Sequence, residues 1–152
     1  MSSRILVSLR VNAAPSRAFA VFTEQIGAWW KPNGLFRFTD GPPGRLAFDA
    51  GRLIEAKPDG SSFEIGRVTA WEPGARVAFT WRQASFSADQ DTHVEVRFEP
   101  VGEETRVTVE HTGWDTIPIE HAARHHFPDA IFLQRHGEWW QELLASCRRF
   151  IK

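Results

Sequence analysis

The chain has 152 residues, 42% of them hydrophobic and 24% charged, which is typical of one globular domain rather than of a fibrous or disordered protein. Lysine and arginine (18) nearly balance aspartate and glutamate (19), so the net charge of -1 gives no reason to expect nucleic acid or a membrane as partner. A single cysteine, Cys147, excludes an intrachain disulfide, and no stretch approaches the ~18 uninterrupted apolar residues of a membrane span. We therefore predict one domain over residues 1–152, located in the cytoplasm.

The first part of the chain predicts a strand followed by short helical segments. Apolar and polar residues alternate over residues 4–11, which is the pattern of a strand with one buried face. Pro15 stands where the first turn of a helix tolerates it, and residues 18–22 carry an amphipathic pattern. Trp29 and Trp30 follow, just before the first strong turn signal.

Regular turn signals then divide the middle of the chain into short strands. Clusters of glycine, proline and aspartate recur between short apolar runs, as they do at the hairpin turns of an antiparallel meander. The predicted strands cover residues 36–39, 45–50, 52–56, 63–71, 76–81, 92–99 and 106–112. In the last two strands the alternation is strict, so one face is expected to meet the core, and His111 is predicted to point inward.

The end of the chain predicts one long helix. Over residues 131–151, apolar side chains recur at spacings of three and four and make a broad apolar stripe. A helix of this length spans about 30 Å, enough to cross a small sheet.

Short motifs spread along the chain carry a family resemblance. In chain order they are Val11-Asn12-Ala13-Ala14-Pro15, Ala18-Phe19, Trp29-Trp30, Gly66-Arg67-Val68, Trp71-Glu72-Pro73, Phe79-Thr80-Trp81, residues 94–98, Glu104-Thr105-Arg106-Val107, His111-Thr112-Gly113-Trp114 and His136-Gly137-Glu138-Trp139-Trp140. Together they cover nearly the whole length and resemble the START-like (SRPBCC) superfamily, within it the branch homologous to the C-terminal domain of the Hsp90 ATPase activator.

The resemblance implies an α+β helix-grip fold, in which a curved antiparallel sheet wraps around a long C-terminal helix with a deep cavity between them. Members of the superfamily use this cavity for lipids, polyketides, hormones or other apolar molecules, and a minority are aromatases, cyclases or hydrolases. The eukaryotic activator carries a separate N-terminal domain, for which 152 residues leave no room. The Hsp90-activating role is therefore not carried over by name alone.

The aromatic content fits such a cavity, because the chain has seven tryptophans and twelve phenylalanines but no tyrosine. Each ring alone is explained equally well as plain core, whereas together they suit a lined interior space. The residues predicted to bind a ligand are Trp30, Phe36, Phe38, Phe48, Phe79, Trp81, His111, Trp114, Phe132, Arg135 and Trp140.

Two residues of this set could carry chemistry. His111 could hydrogen-bond a ligand or act as a general base, or it could be a structural histidine satisfied by a backbone or tryptophan partner. Arg135 could meet a ligand carboxylate, or its stem could cover apolar surface while its charge stays in water; the same alternatives hold for Arg52. No serine or cysteine nucleophile can be placed beside His111, so the sequence predicts no catalytic residue.

A histidine-rich segment precedes the long helix. His121 and His125 are four residues apart, a spacing that could hold a metal on one face of a helix, and His126 and Glu120 lie beside them. The HExxH motif is absent, so the preferred interpretation is a solvated polar segment without a metal site. No glycine motif for nucleotide phosphates is present either, and we predict no cofactor.

Three hypotheses for the function follow from these observations. The preferred one is a binding protein for a small apolar molecule. The alternatives are a cavity enzyme with cyclase-like or hydrolase-like acid–base chemistry, and an interaction module whose partner is an Hsp90-type chaperone. Neither nucleic acid nor a membrane is expected as a partner, and the sequence leaves monomer and homodimer open.

Overall fold

The computed structural model of the protein describes residues 4–33, 37–84, 86, 90–114, 117 and 128–151. In chain order the elements are β1 (Arg4–Val11), α1 (Pro15–Glu24), α2 (Ile26–Trp29), β2 (Arg45–Asp49), β3 (Arg52–Ala56), β4 (Ser62–Glu72), β5 (Arg76–Trp81), β6 (Thr92–Val101), β7 (Glu104–Thr112) and α3 (Asp129–Ile151). The strands of this part of the chain form one antiparallel sheet in the order β1-β7-β6-β5-β4-β3-β2. Successive hairpins build the sheet from β2 to β7, and β1 joins it beside β7. The predicted α+β helix-grip fold is confirmed.

One predicted strand is wrong. Residues 37–39, within the predicted strand 36–39, form a bent loop instead of a strand. The reason is local hydrogen bonding, because the Thr39 hydroxyl donates to the Glu55 carboxylate at 2.7 Å and the Phe38 carbonyl accepts from the backbone N–H of Ala84 at 2.7 Å. Side-chain partners of this kind offer the backbone an alternative to a strand ladder.

Two bulges in β4 bend the sheet toward the helix. Against β3 the register shifts so that Ile65 is an extra residue, and against β5 it shifts so that Thr69 is extra. A bulge leaves one residue unpaired, bends its strand and increases the local twist. Between the two bulges, Gly66 lies so close to β5 that an added Cβ would stand 1.6 Å from the carbonyl oxygen of Thr80. The curvature therefore depends on a position that has no room for a side chain.

The long helix α3 lies in the concave side of this sheet and is held in its middle and along its C-terminal half. Trp139 donates its indole N–H to the carbonyl of Lys31 at 3.0 Å, and the Ser146 hydroxyl donates to the carbonyl of Trp29 at 2.6 Å. At the C-terminal end, Arg17 donates to the carbonyl of Ile151 at 3.0 Å. These bonds tie α3 to the α1–α2 segment, while its apolar stripe packs against the sheet.

The outer face of the sheet is polar and is crossed by ion pairs. They run from β1 to β4 as the pairs Arg4–Glu110, Arg97–Glu110, Arg97–Glu95, Arg76–Glu95 and Arg76–Glu72. Opposite charges on neighbouring strands stabilise a sheet modestly. These described strands therefore present charged side chains to water. None of the described helices is both long and apolar enough to cross a membrane.

Replacing glycine by alanine should change the stability in opposite directions at Gly66 in β4 and at Gly137 in α3. Gly66→Ala forces a methyl group into the Thr80 backbone, so we expect the free energy of unfolding to fall by about 3 kcal/mol or more. Gly137→Ala, on α3, places its methyl group 3.6 Å from Ile5, an ordinary contact, and should raise stability by about 0.5–1 kcal/mol. Urea unfolding of both variants checks the pair, and equal effects of the two substitutions would contradict the close approach at Gly66.

Candidate functional site

Aromatic side chains from the α2–β2 loop, the sheet and α3 meet on the concave side. We call these residues the interior ring cluster: Trp30, Phe38, Trp81, His111, Trp114, Phe132, His136, Trp139 and Trp140. Trp81, at the end of β5, lies at its centre, with its ring centroid 4.9 Å from Phe38 and 5.0 Å from His111. All members are buried except Trp30, which is half-buried. The alternation of β5 and the three-and-four spacing of α3 bring these rings together.

His111 is fixed by two hydrogen bonds inside this cluster, and its predicted inward direction is confirmed. The Trp140 indole N–H donates to Nδ1 of His111 at 3.2 Å. An indole nitrogen only donates, so Nδ1 carries no proton and the proton lies on Nε2. Nε2 therefore donates to the Thr92 hydroxyl at 2.8 Å, which in turn donates to the carbonyl of Trp81 at 3.0 Å.

A second buried histidine, His136 on α3, stands beside the first. The two ring centroids are 5.1 Å apart and the planes are nearly perpendicular, at 86°. Burial lowers the pKa of His136 to about 3, and burial together with the neighbouring His136 holds the pKa of His111 well below its usual 6.5. Both imidazoles are neutral at pH 7, so the cluster contains polar nitrogens but no charge on its histidines.

His136 and Trp139 were absent from the predicted ligand-binding residues. A signal for His136 was present in the sequence, because it lies four residues after Phe132 and four before Trp140, on the same face of the helix. Thr92 gave no comparable signal, since its role depends on the pairing of β6 with β5 and β7.

A small cavity of about 20 Å³, room for about one water molecule, lies beside the cluster. We call it the mouth; it is lined by Trp30, Pro32, Asn33, Arg37, Phe38, Thr39, Pro43, Gly44, Leu46 and Glu55. Glu55 is only 3% exposed, and its carboxylate accepts from the Thr39 hydroxyl at 2.7 Å and from the Gly44 N–H at 3.0 Å. The Lys57 ammonium donates to the Thr39 hydroxyl at 2.6 Å and to the carbonyl of Pro42 at 2.7 Å. These bonds hold the loop of residues 37–44 against β3.

Two of the predicted ligand-binding residues lie in a different group of rings. Phe48 and Phe79 contact each other at 5.5 Å between centroids, and Phe48 contacts the half-exposed Trp71 at 5.8 Å. This group packs against α1 through Phe19, whose ring is 5.2 Å from that of Trp71. Phe48 and Phe79 are thus brought together with one another but are placed away from the two histidines.

Of the two alternatives for Arg135, its position favours the one in which the charge stays in water. Its side chain is 59% exposed and lies 3.9 Å from the Glu138 carboxylate on the same helix. The physical reason is the 100° step between helical neighbours, which turns Arg135 to water while His136 turns inward. Arg52 likewise lies at the surface, 3.6 Å from Glu64.

Some sequence predictions fall outside the described residues. Phe36 is one of them, and His121, His125 and His126 are the others. Within the described ranges, no group of three or more histidine, cysteine or acidic side chains is placed to hold a metal ion. Cys147 is buried, and burial raises the pKa of its thiol to about 12, so it is not a reactive thiolate at neutral pH.

The two buried histidines predict that the stability of the fold depends on pH. The unfolded chain takes up a proton on His136 near pH 6.5, whereas the folded protein does so only near pH 3, so stability is complete above pH 6.5 and is lost as the pH falls. From pH 7 to pH 5, His136 alone should lower the free energy of unfolding by about 2 kcal/mol. His136→Met should lose less stability than the wild type over this interval, by that amount.

Urea unfolding at pH 7 and pH 5 measures this difference, and comparison with the wild type removes the contribution of the carboxylates. Gln141→Met is the matched control, because Gln141 is exposed on the same helix and its replacement introduces methionine without removing a titratable group. A His136→Met variant with the same pH dependence as the wild type would contradict a neutral, buried His136.

Comparison with solved structures shows that this fold is shared. An anthrahydroquino-γ-pyrone synthase, Txn09, complexed with SUM, is 26% identical with a TM-score of 0.56, and the match covers 96% of this chain and 95% of that chain. PFC0360w, an Hsp90 activator from Plasmodium falciparum, is 16% identical with a TM-score of 0.63, covering 98% and 96%. DynU16, a putative protein in the dynemicin biosynthetic locus, is 18% identical with a TM-score of 0.65, covering 98% of this chain and 47% of that one.

Among curated protein sequences, none matched this chain. A family model does match, over residues 12–146, and it is described as activator of Hsp90 ATPase homolog 1-like protein. The match covers most of the sheet and most of α3, and it agrees with the helix-grip architecture and with the resemblance in the sequence motifs. The chain therefore belongs to the family of activator of Hsp90 ATPase homolog 1-like proteins.

Proposed function

We propose that the protein binds a small, mainly apolar molecule between the concave face of the sheet and α3, at the interior ring cluster. The observation that carries this proposal is a continuous series of aromatic rings from the mouth to the buried histidines. Trp30 and Phe38 line the mouth, and both contact Trp81, which contacts His111. Ligand sites in proteins combine such apolar walls with a few polar groups.

The electrostatics of the cluster favour a neutral ligand. His111 and His136 are uncharged at neutral pH, and the other members of the cluster are tryptophan and phenylalanine. An ionised group moved into such surroundings loses its hydration and gains no opposite charge in return. A flat, uncharged aromatic or polycyclic molecule gains dispersion and ring-stacking contacts instead.

One of the similar structures supports a ligand of this kind. The protein that is 26% identical is named a pyrone synthase and is complexed with SUM. Its name concerns an aromatic, oxygen-containing product, and the ring-lined interior of this chain suits molecules of that class.

The enzyme alternative gains nothing from His111. Both of its ring nitrogens are engaged, Nδ1 with Trp140 and Nε2 with Thr92, and its lowered pKa makes it a weak base. Its contacts within the described residues include no carboxylate that could orient it, since Glu110 pairs with Arg4 on the outer face. Acid–base chemistry in this interior would have to use another residue.

The chaperone alternative is favoured by the family description and by one exposed ring. Trp71 is 44% exposed at the edge of a surface pocket lined by Phe48 and Val68. Large exposed apolar groups mark interaction sites in soluble proteins when they form a patch. A pull-down with an Hsp90-type chaperone, repeated with Trp71→Ser, tests this partner independently of any small ligand.

Ligand binding is tested on the protein as purified. Native mass spectrometry detects a molecule that co-purifies, and titration of the tryptophan fluorescence with neutral polycyclic aromatics and with their carboxylated analogues measures affinity. We expect saturable quenching by the neutral compounds and weaker binding of the charged ones. Phe38→Ala should weaken binding about tenfold, because it removes one wall of the mouth.

Phe150→Ala is the matched control, since Phe150 is 44% exposed near the end of α3 and should leave the affinity unchanged. Thermal unfolding of both variants separates a lost contact from a lost fold. No co-purified mass and no saturable quenching by any compound would overturn the proposed function and leave the chaperone as the partner to test.

A further inference from the structure

Among the described residues, two buried side-chain N–H groups near the end of β5 have no hydrogen-bond partner. They are Nε1 of Trp81 and Nε2 of Gln83, whose residues are 0% and 4% exposed. Three other indoles do have acceptors, since Trp29 donates to the carbonyl of Val21, Trp139 to the carbonyl of Lys31 and Trp140 to His111. Buried polar groups are nearly always hydrogen-bonded in native proteins, so each exception needs a physical reason.

The two donors lie on the same side of one segment. The alternating burial of β5 buries Val77, Phe79 and Trp81, and Gln83 continues this alternation two residues beyond the strand. The next residue, Ala84, donates its backbone N–H to the carbonyl of Phe38 at 2.7 Å, which holds the segment beside the mouth. Gln83 thus follows Trp81 on the face that carries the interior ring cluster.

We propose that Trp81 and Gln83 form a subsite that recognises an oxygen acceptor on the bound ligand, a carbonyl or phenolic oxygen on an aromatic ring. This inference rests on the proposed function and adds to it the polar group that the ligand must carry. Both side-chain nitrogens supply only hydrogens, so the complementary group must accept. An acceptor regains the hydrogen bonds that burial denies these donors, whereas a pure hydrocarbon leaves them unsatisfied.

A matched pair of probes isolates this effect. Fluorene and 9-fluorenone have the same three-ring skeleton, and the ketone differs by its carbonyl oxygen. We expect the wild-type protein to bind 9-fluorenone about tenfold more tightly than fluorene, measured by equilibrium dialysis. The carbonyl stretch of bound 9-fluorenone should move to lower frequency, as it does when a carbonyl accepts a hydrogen bond.

Two variants remove one donor each. Trp81→Phe keeps an aromatic ring without the N–H, and Gln83→Leu keeps a similar side-chain shape without the amide. In each, the preference for the ketone over fluorene should fall to about threefold or less; the readout is this ratio within each variant, because Trp81 also belongs to the interior ring cluster and its replacement changes both affinities. Trp71→Phe is the control, because its indole lies outside the interior ring cluster, and it should keep the full preference.

The outcomes separate this subsite from the proposed function. If the wild type binds neither probe, the proposed function fails and the subsite fails with it. If the wild type binds both probes equally, or if both variants keep the wild-type preference and carbonyl frequency, the ligand binds without this subsite and only the present inference is overturned. Because Gln83→Leu leaves every ring in place, a misfolded Trp81→Phe variant does not prevent a decision.

Discussion

A directional chain of hydrogen bonds crosses the interior from α3 to the sheet, and the arrangement of the site depends on it. It begins at the Trp140 indole, passes through His111 and the Thr92 hydroxyl, and ends at the carbonyl of Trp81. Only this direction satisfies every member, because an indole N–H cannot accept and a carbonyl cannot donate. Losing one partner would leave a buried polar group unsatisfied, at a cost of about 1–3 kcal/mol. This series of hydrogen bonds therefore fixes the rotation of α3 against β5, β6 and β7.

Other contacts then position the remaining aromatic side chains of the concave side around α3. The bonds from Trp139 to Lys31 and from Ser146 to Trp29 place Trp30 over the rings of the sheet. The bulges of β4 add to the curvature of the sheet, and the loop bonds of Phe38 and Thr39 place Phe38 beside Leu46 in the lining of the mouth. The described outer strands contribute cross-strand ion pairs, whereas curvature and helix seating together shape the concave side where a ligand could be held.

The sequence predicted the parts of this arrangement that depend on periodicity. The alternation of β6 and β7 placed His111 on the buried face, and the spacing of α3 gave its apolar stripe. The prediction failed where the conformation of a residue depends on a partner distant in sequence. At Thr39, for example, the hydroxyl donates to Glu55, and the predicted strand is a loop instead. Arg135 and His136 show a second limit of sequence-based prediction. They are adjacent at the edge of the apolar stripe, and which of them points inward depends on the rotation of the helix about its axis, which the spacing alone does not define.

The polarity of the concave side changes from the mouth inward, and under the proposed function this gradient would select among ligands. At the mouth, the carboxylate of Glu55 accepts hydrogen bonds that hold the loop of residues 37–44, and the nearby Lys57 donates to the same loop. Farther in, the polar atoms belong to neutral imidazoles, to a hydroxyl and to indole and amide N–H groups. Under the proposed function, a ligand that moves inward would lose water at each step without meeting an opposite charge on the histidines, so we expect an ionised group to stay near the mouth. We expect a neutral ring system to bind farther in, with an affinity that depends on whether its edge offers acceptors to the unsatisfied N–H groups of Trp81 and Gln83.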